Sequence, residues 1–514
     1  MQSCLAELKS FEEHAISSEI SEQGLFHFIV ALDKKYKGNI EYELNINGVI
    51  CNIASSLRHL KVLAYAASRL NSAVASDESD KYLYDLGNTI LCIAEIEMLY
   101  PQSITDLLSS SKFNEARSYF ERINKIHEYY PFAITNTANL LEKYGRNLEA
   151  IYLYDEVLAK HPRFGMALCN KAQSIEYYVK QAPAPSLRLL DIAKCLYIKG
   201  LDDPDMQSIG GSRAFDHFTK SMSQLSSILE HNNYSGSNNE NRPNKLSEYL
   251  VYCLDANLFL NHDFGYYYDN ESVHDNFFPS FIEYIHDKQN KRTGVMSEQV
   301  YFSFHVFNQL LESYSSSRLQ YYTAITTDYE ALDQLVCYTY TLDYTQHNHK
   351  YGLLKSTLSS LYNCLDKIAH LMHYYYIAYD SGSTKNIYFN WLLSGEFRDV
   401  VIKNNSYQLL ALWSLAKDFE PKHKYNYLRN IRNRITHSFL NINTEIFYDN
   451  NNATYEITES MLEKATARMF LIVKSALMYA VNALAFQEVD GKNMPMNAIL
   501  ERDIFQRGKG HRMR

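Results

Sequence analysis

Very few residues in this chain interrupt a helix. Its 514 residues include only 18 glycines and 10 prolines, and long stretches contain neither. Sandwiches and barrels need turn residues about every 8–12 positions between their short strands, so this scarcity predicts an all-α protein. The chain is also too long for one ordinary hydrophobic core, and we expect two or three domains.

Charge and cysteine content argue against several classes of protein. The net charge of −9 at pH 7 disfavours a protein that coats nucleic acid non-specifically, so any polyanion must bind a local basic patch. The eight cysteines include no C-x-x-C pair, which favours free thiols over zinc or disulfide sites. His347 and His349 lack an accompanying cysteine or carboxylate cluster, and no phosphate-loop or dinucleotide motif is present. We therefore expect no metal and no cofactor.

The N-terminus and the most apolar segment predict the location of the protein. The sequence MQSCLAELKSFEEHA carries three carboxylates and no apolar core, so we expect no signal peptide. The most apolar segment, MFLIVKSALMYAVNALAF at 469–486, is interrupted by Lys474 and Asn482. Because a membrane span needs about 20 predominantly apolar residues, we interpret it as a buried core helix. We expect a cytoplasmic protein without a membrane partner.

A spacing of 34 residues recurs in the first half of the chain. Ala133, Asn136 and Ala138 have counterparts of the same type 34 positions later, and Pro162 lies between the two copies. This order of small, aromatic and turn residues resembles the tetratricopeptide (TPR) pattern, in which each repeat is a pair of helices. Degenerate neighbouring helices are expected at 83–90 and 115–123. Such units bury their faces only by stacking, so more helical pairs should flank them.

A polar segment separates the repeats from the rest of the chain. Residues 231–245, HNNYSGSNNENRPNK, are rich in Gly, Ser, Asn and Pro and are typical of a linker. The predicted order is TPR-like helical repeats at 1–230, a linker at 231–245, a lead-in segment at 246–296, a helical bundle at 297–490 and a basic tail at 491–514.

Helical periodicity covers most of the second half. Apolar residues recur every three or four positions from Leu354 to Tyr375, which predicts one buried helix face. Two long helices, several shorter ones and a long closing helix predict a compact bundle. The expected helices are at 297–325, 329–344, 354–375, 406–417, 424–439 and 458–486.

One segment reverses the acidic charge of the chain. Between residues 417 and 434, six cationic side chains accompany only two acidic ones. Such a reversal is typical of a phosphate-binding surface or of a solvated helix face, and charge alone leaves both interpretations open. The cations are Lys417, Lys422, Lys424, Arg429, Arg432 and Arg434.

The same segment contains an arginine and a histidine five positions apart, in RNRITH. RNA is cleaved without a metal when a base removes the 2′-hydroxyl proton and a cation stabilises the charge that develops at phosphorus. A histidine that titrates near neutral pH suits the first task, and a guanidinium fork suits the second. On an ideal helix Arg432 and His437 would be about 140° apart, flanking a groove.

The spacing alone is not specific. With 20 arginines and 18 histidines in 514 residues, about 0.7 such pairs are expected by chance. A second pair, Arg122 and His127, lies in the repeat region without comparable basic surroundings. We interpret that second pair as coincidental.

The wider context resembles the HEPN superfamily (higher eukaryotes and prokaryotes nucleotide-binding). In that family a helical bundle carries Arg, a polar residue, three variable positions and His, and RNRITH fits with Asn433 in the polar position. The segments LKSTLSSLYNCLDKIAHLMHYYY and LALWSLAKDFEPKHKYNYLRNIRNRITHSFL look like a prokaryotic branch that joins TPR repeats to a C-terminal HEPN domain. DANLFLNHDFG resembles the lead-in segment of that branch. The resemblance covers residues from about 297 to 486.

The resemblance implies a metal-independent endoribonuclease, in which two HEPN domains pair so that both motifs line one cleft. Arg432 and His437 would then be the catalytic pair, with Asn433 orienting them, and attack by the 2′-hydroxyl would leave a 2′,3′-cyclic phosphate. Many members are toxins or antiviral effectors that cut host or phage RNA, so tRNA, rRNA and mRNA are all candidate substrates. TPR repeats commonly bind proteins or peptides, and these would sense the trigger or hold the nuclease inactive.

Charge and proximity, rather than the family, select further residues. We expect the backbone of RNA to contact Arg429, Arg434, Lys424 and Lys422. The basic tail RGKGHRMR, at 507–514, would add non-specific affinity for RNA. Asp366 and Lys367 lie in an apolar helix, and are either a structural ion pair or side chains that reach the cleft.

Two other functions fit the same residues. A non-catalytic HEPN module would bind a nucleotide or RNA through Arg432 and His437. A TPR protein-interaction scaffold would use the C-terminal bundle only to form a homodimer or a higher homo-oligomer.

Overall fold

The structure is a computed structural model. It describes residues 4–98, 103–181, 186–234, 236, 246–261, 273–277, 283–286, 292–295, 298–339, 344–378, 387–443 and 455–485. Helices account for most of these residues, which confirms the prediction of an all-α protein. The basic tail at 491–514 and most of the linker at 231–245 lie outside the described residues, as does much of the lead-in segment.

Twelve helices precede the linker in the part of the chain just given. Five of them begin at a Ser or Asn whose side chain accepts a backbone N–H of the first turn, such as Ser21, Asn39 and Ser186. They are α1 (Cys4–Ser17), α2 (Glu22–Lys35), α3 (Ile40–Ser56), α4 (Leu60–Ser76), α5 (Asp80–Glu97), α6 (Ile104–Ser109), α7 (Lys112–Phe120), α8 (Tyr130–Lys143), α9 (Asn147–Lys160), α10 (Gly165–Gln181), α11 (Leu187–Leu201) and α12 (Met206–His231).

The second half combines helices with short strands. The helices are α13 (Glu248–Asp255), α14 (Glu298–Thr326), α15 (Glu330–Asp333), α16 (His349–His373), α17 (Gly395–Asn404), α18 (Tyr407–Lys417), α19 (Asn426–His437) and α20 (Glu459–Ala485). A π-helical turn follows α16 at Tyr374–Ala378, and a 3-10 turn lies at Phe389–Leu393. The strands are β1 (Glu283–His286), β2 (Arg292–Val295), β3 (Thr345–Gln346), β4 (Leu440–Asn443) and β5 (Tyr455–Thr458).

The chain divides into two compact units. Unit 1 consists of Met1–Asn238 and Leu393–Asn426, and unit 2 of Asn239–Leu392 and Tyr427–Arg514. The first division falls within the linker expected at 231–245. Unit 1 also includes α17 and α18, which were predicted to belong to the C-terminal bundle. This difference follows from how the two helices pack.

The N-terminal part of unit 1 consists of helical repeats, consistent with TPR repeats. Successive helices from α3 to α12 pack mainly on their neighbours in the chain, as expected of a repeat array. Ala133 and Ala138 of α8 and Ala167 and Ala172 of α10 are fully buried, which confirms that small residues let these helices approach closely.

Helix α18 is apolar on nearly every side. Its residues 408–416 are all buried, and such a helix needs protein around its whole circumference. Unit 1 provides that surface through α6 and the turn between α8 and α9. Gly145 in this turn has a positive φ of 74°, and a Cβ there would collide with the backbone oxygen of Tyr407. Glycine is therefore required for this close approach.

A buried charge cluster joins the same two parts of unit 1. We call Arg117, Arg146, Glu149 and Asp418 the Asp418 cluster. Its four side chains are each at most 7% exposed. Arg146 Nη1 donates to Asp418 Oδ2 at 2.7 Å and Arg146 Nε donates to Glu149 Oε2 at 2.9 Å, while Arg117 pairs with the other Asp418 oxygen.

The Asp418 cluster balances two positive charges against two negative ones. Burial alone would raise the pKa of Asp418, but the guanidinium groups of Arg117 and Arg146 outweigh it and lower the pKa to about 2. The carboxylate therefore stays ionised at neutral pH. Each charge has a partner, which is the condition for burying ions at all.

Unit 2 is built around α14, α16 and α20. The predicted apolar face of α16 is confirmed, since the residues that step along it are fully buried from Leu354 to Met372. Strand β4 pairs with β3 in antiparallel and with β5 in parallel orientation, forming a small three-stranded sheet directly after α19.

The prediction of a helix at 329–344 is wrong. Only Glu330–Asp333 is helical, and β3 begins at Thr345. Leu335 is 79% exposed and Val336 is also exposed, so these two residues pack on no core, although Tyr329 at the start of the stretch is buried. A short helix gains most of its stability from packing, and without it the helical pattern does not propagate. Residues 340–343 lie outside the described part.

One helix among the described residues could cross a membrane by length and composition. It is most of α20, Glu459–Leu484, with mean hydropathy 1.3, and 83% of its most apolar window is buried inside the protein. Buried Lys474 in this helix donates to the backbone oxygen and the Oδ1 of Asn257 at 3.0 and 2.8 Å. That degree of burial is typical of a core helix.

Replacing Asp418 by Ala should destabilise unit 1 by about 3–5 kcal/mol, because two guanidinium groups would remain buried without their shared carboxylate. The chain has two tryptophans, Trp391 in unit 2 and Trp413 in unit 1. In a Trp391→Phe background, the fluorescence of Trp413 alone therefore follows urea unfolding of unit 1.

Glu420→Ala is the matched control, since it removes an exposed carboxylate two positions further along. We expect it to change the free energy of unfolding by no more than about 0.5 kcal/mol. Equal unfolding midpoints for the two variants would show that the Asp418 cluster does not hold unit 1 together.

Candidate functional site

Helix α19 carries the arginine–histidine motif. Leu428 and Ile431 are buried on one side of the helix, while most of its remaining residues are polar or cationic. Arg434 and His437 lie in its last turn, where the helix dipole favours positive charge. The helix ends at His437, and β4 begins three residues later at Leu440.

The structure brings the three predicted catalytic residues together. Arg432 Nη1 donates to Asn433 Oδ1 at 3.2 Å and lies 3.5 Å from His437 Nε2. The side chain of Arg432 is 17% exposed, and His437 is exposed. When Nη1 donates to Nε2, that nitrogen must carry a lone pair, which is the form of histidine that accepts a proton.

Helix α16 supplies two more side chains around Arg432. The Arg432 Cζ lies 5.0 Å from the ring centroid of Tyr362, over its face. Arg432 Nη2 lies 3.8 Å from Asp366 Oδ2, and the other oxygen of Asp366 accepts the backbone N–H of Phe389 at 2.8 Å. The guanidinium is thus placed between an aromatic ring, a carboxylate and the imidazole.

Burial sets the protonation of these two neighbours. It raises the pKa of Tyr362 to about 12, with a smaller effect in the same direction from Asp366, so the hydroxyl is neutral at pH 7. Burial also raises the pKa of Asp366, against the opposing effects of the Phe389 N–H and Arg432.

Asp366 and Lys367 have different neighbours in the structure. The Nζ of Lys367 donates to the Oγ of Ser313 on α14 at 3.1 Å, whereas Asp366 lies beside Arg432. The two side chains have separate partners, and only Asp366 lies at the motif.

The residues predicted to contact RNA differ in whether they already have a partner within the protein. Lys422 is exposed, Arg429 is half-buried, and Arg434 Nη1 is 3.4 Å from Ser438 Oγ on the same helix end. Lys424, in contrast, belongs to unit 1, where its Nζ lies 2.8 Å from Glu121 Oε1.

Two cations of the basic segment therefore have structural partners in unit 1. The Glu121 carboxylate, outweighing the opposite effect of burial, raises the pKa of Lys424. Lys417 lies over the Trp413 ring at 5.1 Å. In unit 2, the cations of this segment are Arg429, Arg432 and Arg434, while Lys422 belongs to unit 1.

The second arginine–histidine pair has a different environment. Arg122 Nε donates to Glu78 Oε1 at 2.8 Å, and the His127 ring stacks on Tyr129. Helix α7 ends at Phe120, before either residue. This pair provides a matched comparison for the motif on α19.

Sequence reasoning missed Tyr362. It precedes Asp366 by four positions, so both lie on one face of α16, and that spacing was the available signal. Which helix this face meets depends on tertiary packing, which periodicity does not reveal. Among the described residues, no group of three or more His, Cys, Asp or Glu side chains could hold a metal ion.

The segment that contains this site was compared with known protein families. Residues 295–487 match the family model described as LA2681-like HEPN. This segment is similar to LA2681-like HEPN domains. No curated protein and no solved structure is significantly similar to the chain. The HEPN domain indicates a nucleotide- or RNA-related function, and its matched residues contribute α17 and α18 to unit 1 as well as α14, α16, α19 and α20 to unit 2.

Proposed function

We propose that this protein is a metal-independent endoribonuclease with Arg432 and His437 as its catalytic pair. The observation that carries the proposal is the 3.5 Å distance between Arg432 Nη1 and His437 Nε2, at the exposed end of α19. Asn433 orients the guanidinium through its 3.2 Å hydrogen bond. The match to the HEPN family supports the RNA-related part of the proposal.

The attack on phosphorus needs only these side chains and the RNA itself. His437 Nε2 takes the proton of a ribose 2′-hydroxyl, whose oxygen then attacks the adjacent phosphorus. The Arg432 guanidinium stabilises the negative charge that develops on the phosphoryl oxygens. The bond from phosphorus to the 5′-oxygen breaks, leaving a 2′,3′-cyclic phosphate and, once that oxygen is protonated, a 5′-hydroxyl end.

Protonation of the leaving 5′-oxygen supports a homodimer. One histidine cannot accept a proton and donate another at the same moment of one reaction. Within the described residues, His437 is the histidine that lies at the motif. We propose that a second copy of the chain supplies the acid, which is consistent with the expectation of paired HEPN domains.

The remaining cations fit contacts to the RNA backbone. Arg429 and Arg434 flank Arg432 on α19, and Lys422 is exposed. Phosphate contacts of this kind position RNA without reading its sequence. Lys424 can contact the RNA backbone only if its ion pair with Glu121 is broken.

The proposal extends to the biological setting. We propose a cytoplasmic toxin or antiviral defence effector whose repeat region binds a protein or peptide partner. This part rests on the family resemblance and on the helical repeats of unit 1. A non-catalytic HEPN module and a TPR scaffold are the alternatives that the following experiment separates.

The wild-type chain should cleave a mixture of cellular RNAs in EDTA, and Arg432→Ala and His437→Ala should each reduce the rate at least about 100-fold. Arg122→Ala and His127→Ala are the matched controls, because they remove the same residue types at the same spacing elsewhere. They should cleave at the wild-type rate. Gel electrophoresis gives the rate, and circular dichroism checks the fold.

The alternatives predict other outcomes. RNA that binds but stays intact with the wild type, and binds more weakly with the α19 variants, would support the non-catalytic module. RNA that neither binds nor is cleaved would support the scaffold. Cleavage by His437→Ala at the wild-type rate would remove this residue from the mechanism.

The RNA contacts should appear in the salt dependence of binding. In a His437→Ala background, which keeps the RNA intact, Arg429→Ala and Arg434→Ala should each reduce the slope of log K against log salt by roughly 0.7 to 1. Fluorescence anisotropy with a labelled single-stranded RNA measures this slope. Lys34→Ala, an exposed lysine in α2, is the control and should leave it unchanged.

Lys424→Ala separates a structural role from an RNA contact. With its charge paired to Glu121, we expect the slope to stay constant and unit 1 to unfold at lower urea. A fall in slope equal to that of the arginines would instead place Lys424 on the RNA surface.

A further inference from the structure

We propose that Tyr362 is a positioning residue for the reaction: its ring holds the guanidinium of Arg432 in place, so that Nη1 faces His437 and the phosphate. The inference rests on the proposed ribonuclease function and concerns how that site is held. It is carried by the contacts of Arg432 with α16, all of which lie in unit 2.

The carboxylate beside Arg432 cannot fix its orientation. Asp366 Oδ2 lies 3.8 Å from Arg432 Nη2, which is too long for a hydrogen bond. At that distance the attraction between the charges has little directional preference. The oxygen of Asp366 that does make a close hydrogen bond is engaged by the N–H of Phe389 at 2.8 Å.

The aromatic ring restricts the guanidinium more strongly. Its centroid lies 5.0 Å from Arg432 Cζ, within the range in which a cation is attracted to the ring face. The ring covers one side of the guanidinium, which limits the directions in which that group can move. Of those donors, Nη1 faces Asn433 Oδ1 and His437 Nε2.

Arg432 adopts this arrangement although one of its donors has no hydrogen bond. Among the described residues, its Nε is a buried nitrogen without a hydrogen-bond partner. An unsatisfied buried donor opposes folding, so hydrogen bonding alone would not select this position. The ring and Asn433 maintain it, with the Nη edge directed at His437.

Tyr362 is itself firmly held. It is 8% exposed, and its neighbours Leu361 and Leu365 on α16 are fully buried in the core of unit 2. The neutral hydroxyl adds no charge to the contact, so the ring is the part of the side chain that acts on Arg432. Replacing Tyr362 by phenylalanine should therefore preserve the contact with Arg432.

Without the ring, Arg432 has a nearby alternative. A shift of about 1 Å would bring Nη2 within hydrogen-bond distance of Asp366 and form a direct ion pair. That movement would draw the guanidinium away from His437. Tyr362→Leu should therefore impair catalysis, and Asp366→Asn should relieve part of that loss, because the amide oxygen still accepts the Phe389 N–H but carries no charge.

The test compares cleavage of a labelled RNA by full-length variants. Tyr362→Phe should keep kcat within about twofold of wild type, and Tyr362→Leu should lower kcat about tenfold with KM nearly unchanged. Tyr362→Leu with Asp366→Asn should recover part of the lost kcat. Tyr351→Leu is the control, because it removes a buried tyrosine from the same helix that contacts Glu459 instead of Arg432.

A second measurement does not depend on activity. In protein labelled with 15N-arginine, the buried Nε–H of Arg432 should exchange slowly with solvent in wild type and Tyr362→Phe and rapidly in Tyr362→Leu. Assignment comes from the signal that Arg432→Ala removes. If wild type fails to cleave RNA, this exchange still decides whether Tyr362 orders Arg432, and only the proposed function fails.

Three results would overturn the inference. The first is a folded Tyr362→Leu variant with wild-type kcat. The second is an equal loss in Tyr362→Phe, which would assign the effect to the hydroxyl. The third is slow exchange of the Arg432 Nε–H in Tyr362→Leu.

Discussion

The arrangement of unit 1 depends on the burial of Asp418 between two arginines. Arg117 and Arg146 precede this carboxylate by 301 and 272 residues, so the contact fixes one chain segment against a distant one. A buried ion cluster is worth little more than an apolar core of the same volume, but breaking one partner is strongly unfavourable. We infer that the cluster selects one register of α18 in the repeat array, while the apolar surface of α18 supplies the stability.

Asp418 also makes a hydrogen bond directly before the start of the candidate catalytic helix. The backbone oxygen of Asp418 accepts the N–H of Tyr425 at 2.7 Å, and α19 begins at the next residue. The first residue of α19 thus belongs to unit 1, while Arg432 and its partners on α16 belong to unit 2. The start of the helix and the guanidinium therefore contact different parts of the fold.

Sequence patterns predicted those features of the fold that depend on the spacing and size of neighbouring side chains. The apolar stripe of α16, the long core helix α20 and the close packing at Ala133 and Ala167 follow from periodicity and side-chain size. The prediction of a helix at 329–344 failed because Leu335 and Val336, in the middle of the stretch, pack on no core. Periodicity could not indicate that Asp418 pairs with Arg117 or that Tyr362 lies under Arg432, since both contacts join segments far apart in sequence.

The division of unit 1 between two chain segments has a consequence for its synthesis. The repeat helices through His231 leave the ribosome first, but Asp418 and α18 are made nearly 190 residues later. At elongation rates of about 5–20 residues per second this is a delay of roughly 10–40 s, during which the repeats lack their last apolar partner. Unit 1 is completed only as the helix with Arg432 and His437 is being translated. A nascent chain interrupted before that point holds an incomplete unit 1 and lacks Arg432 and His437.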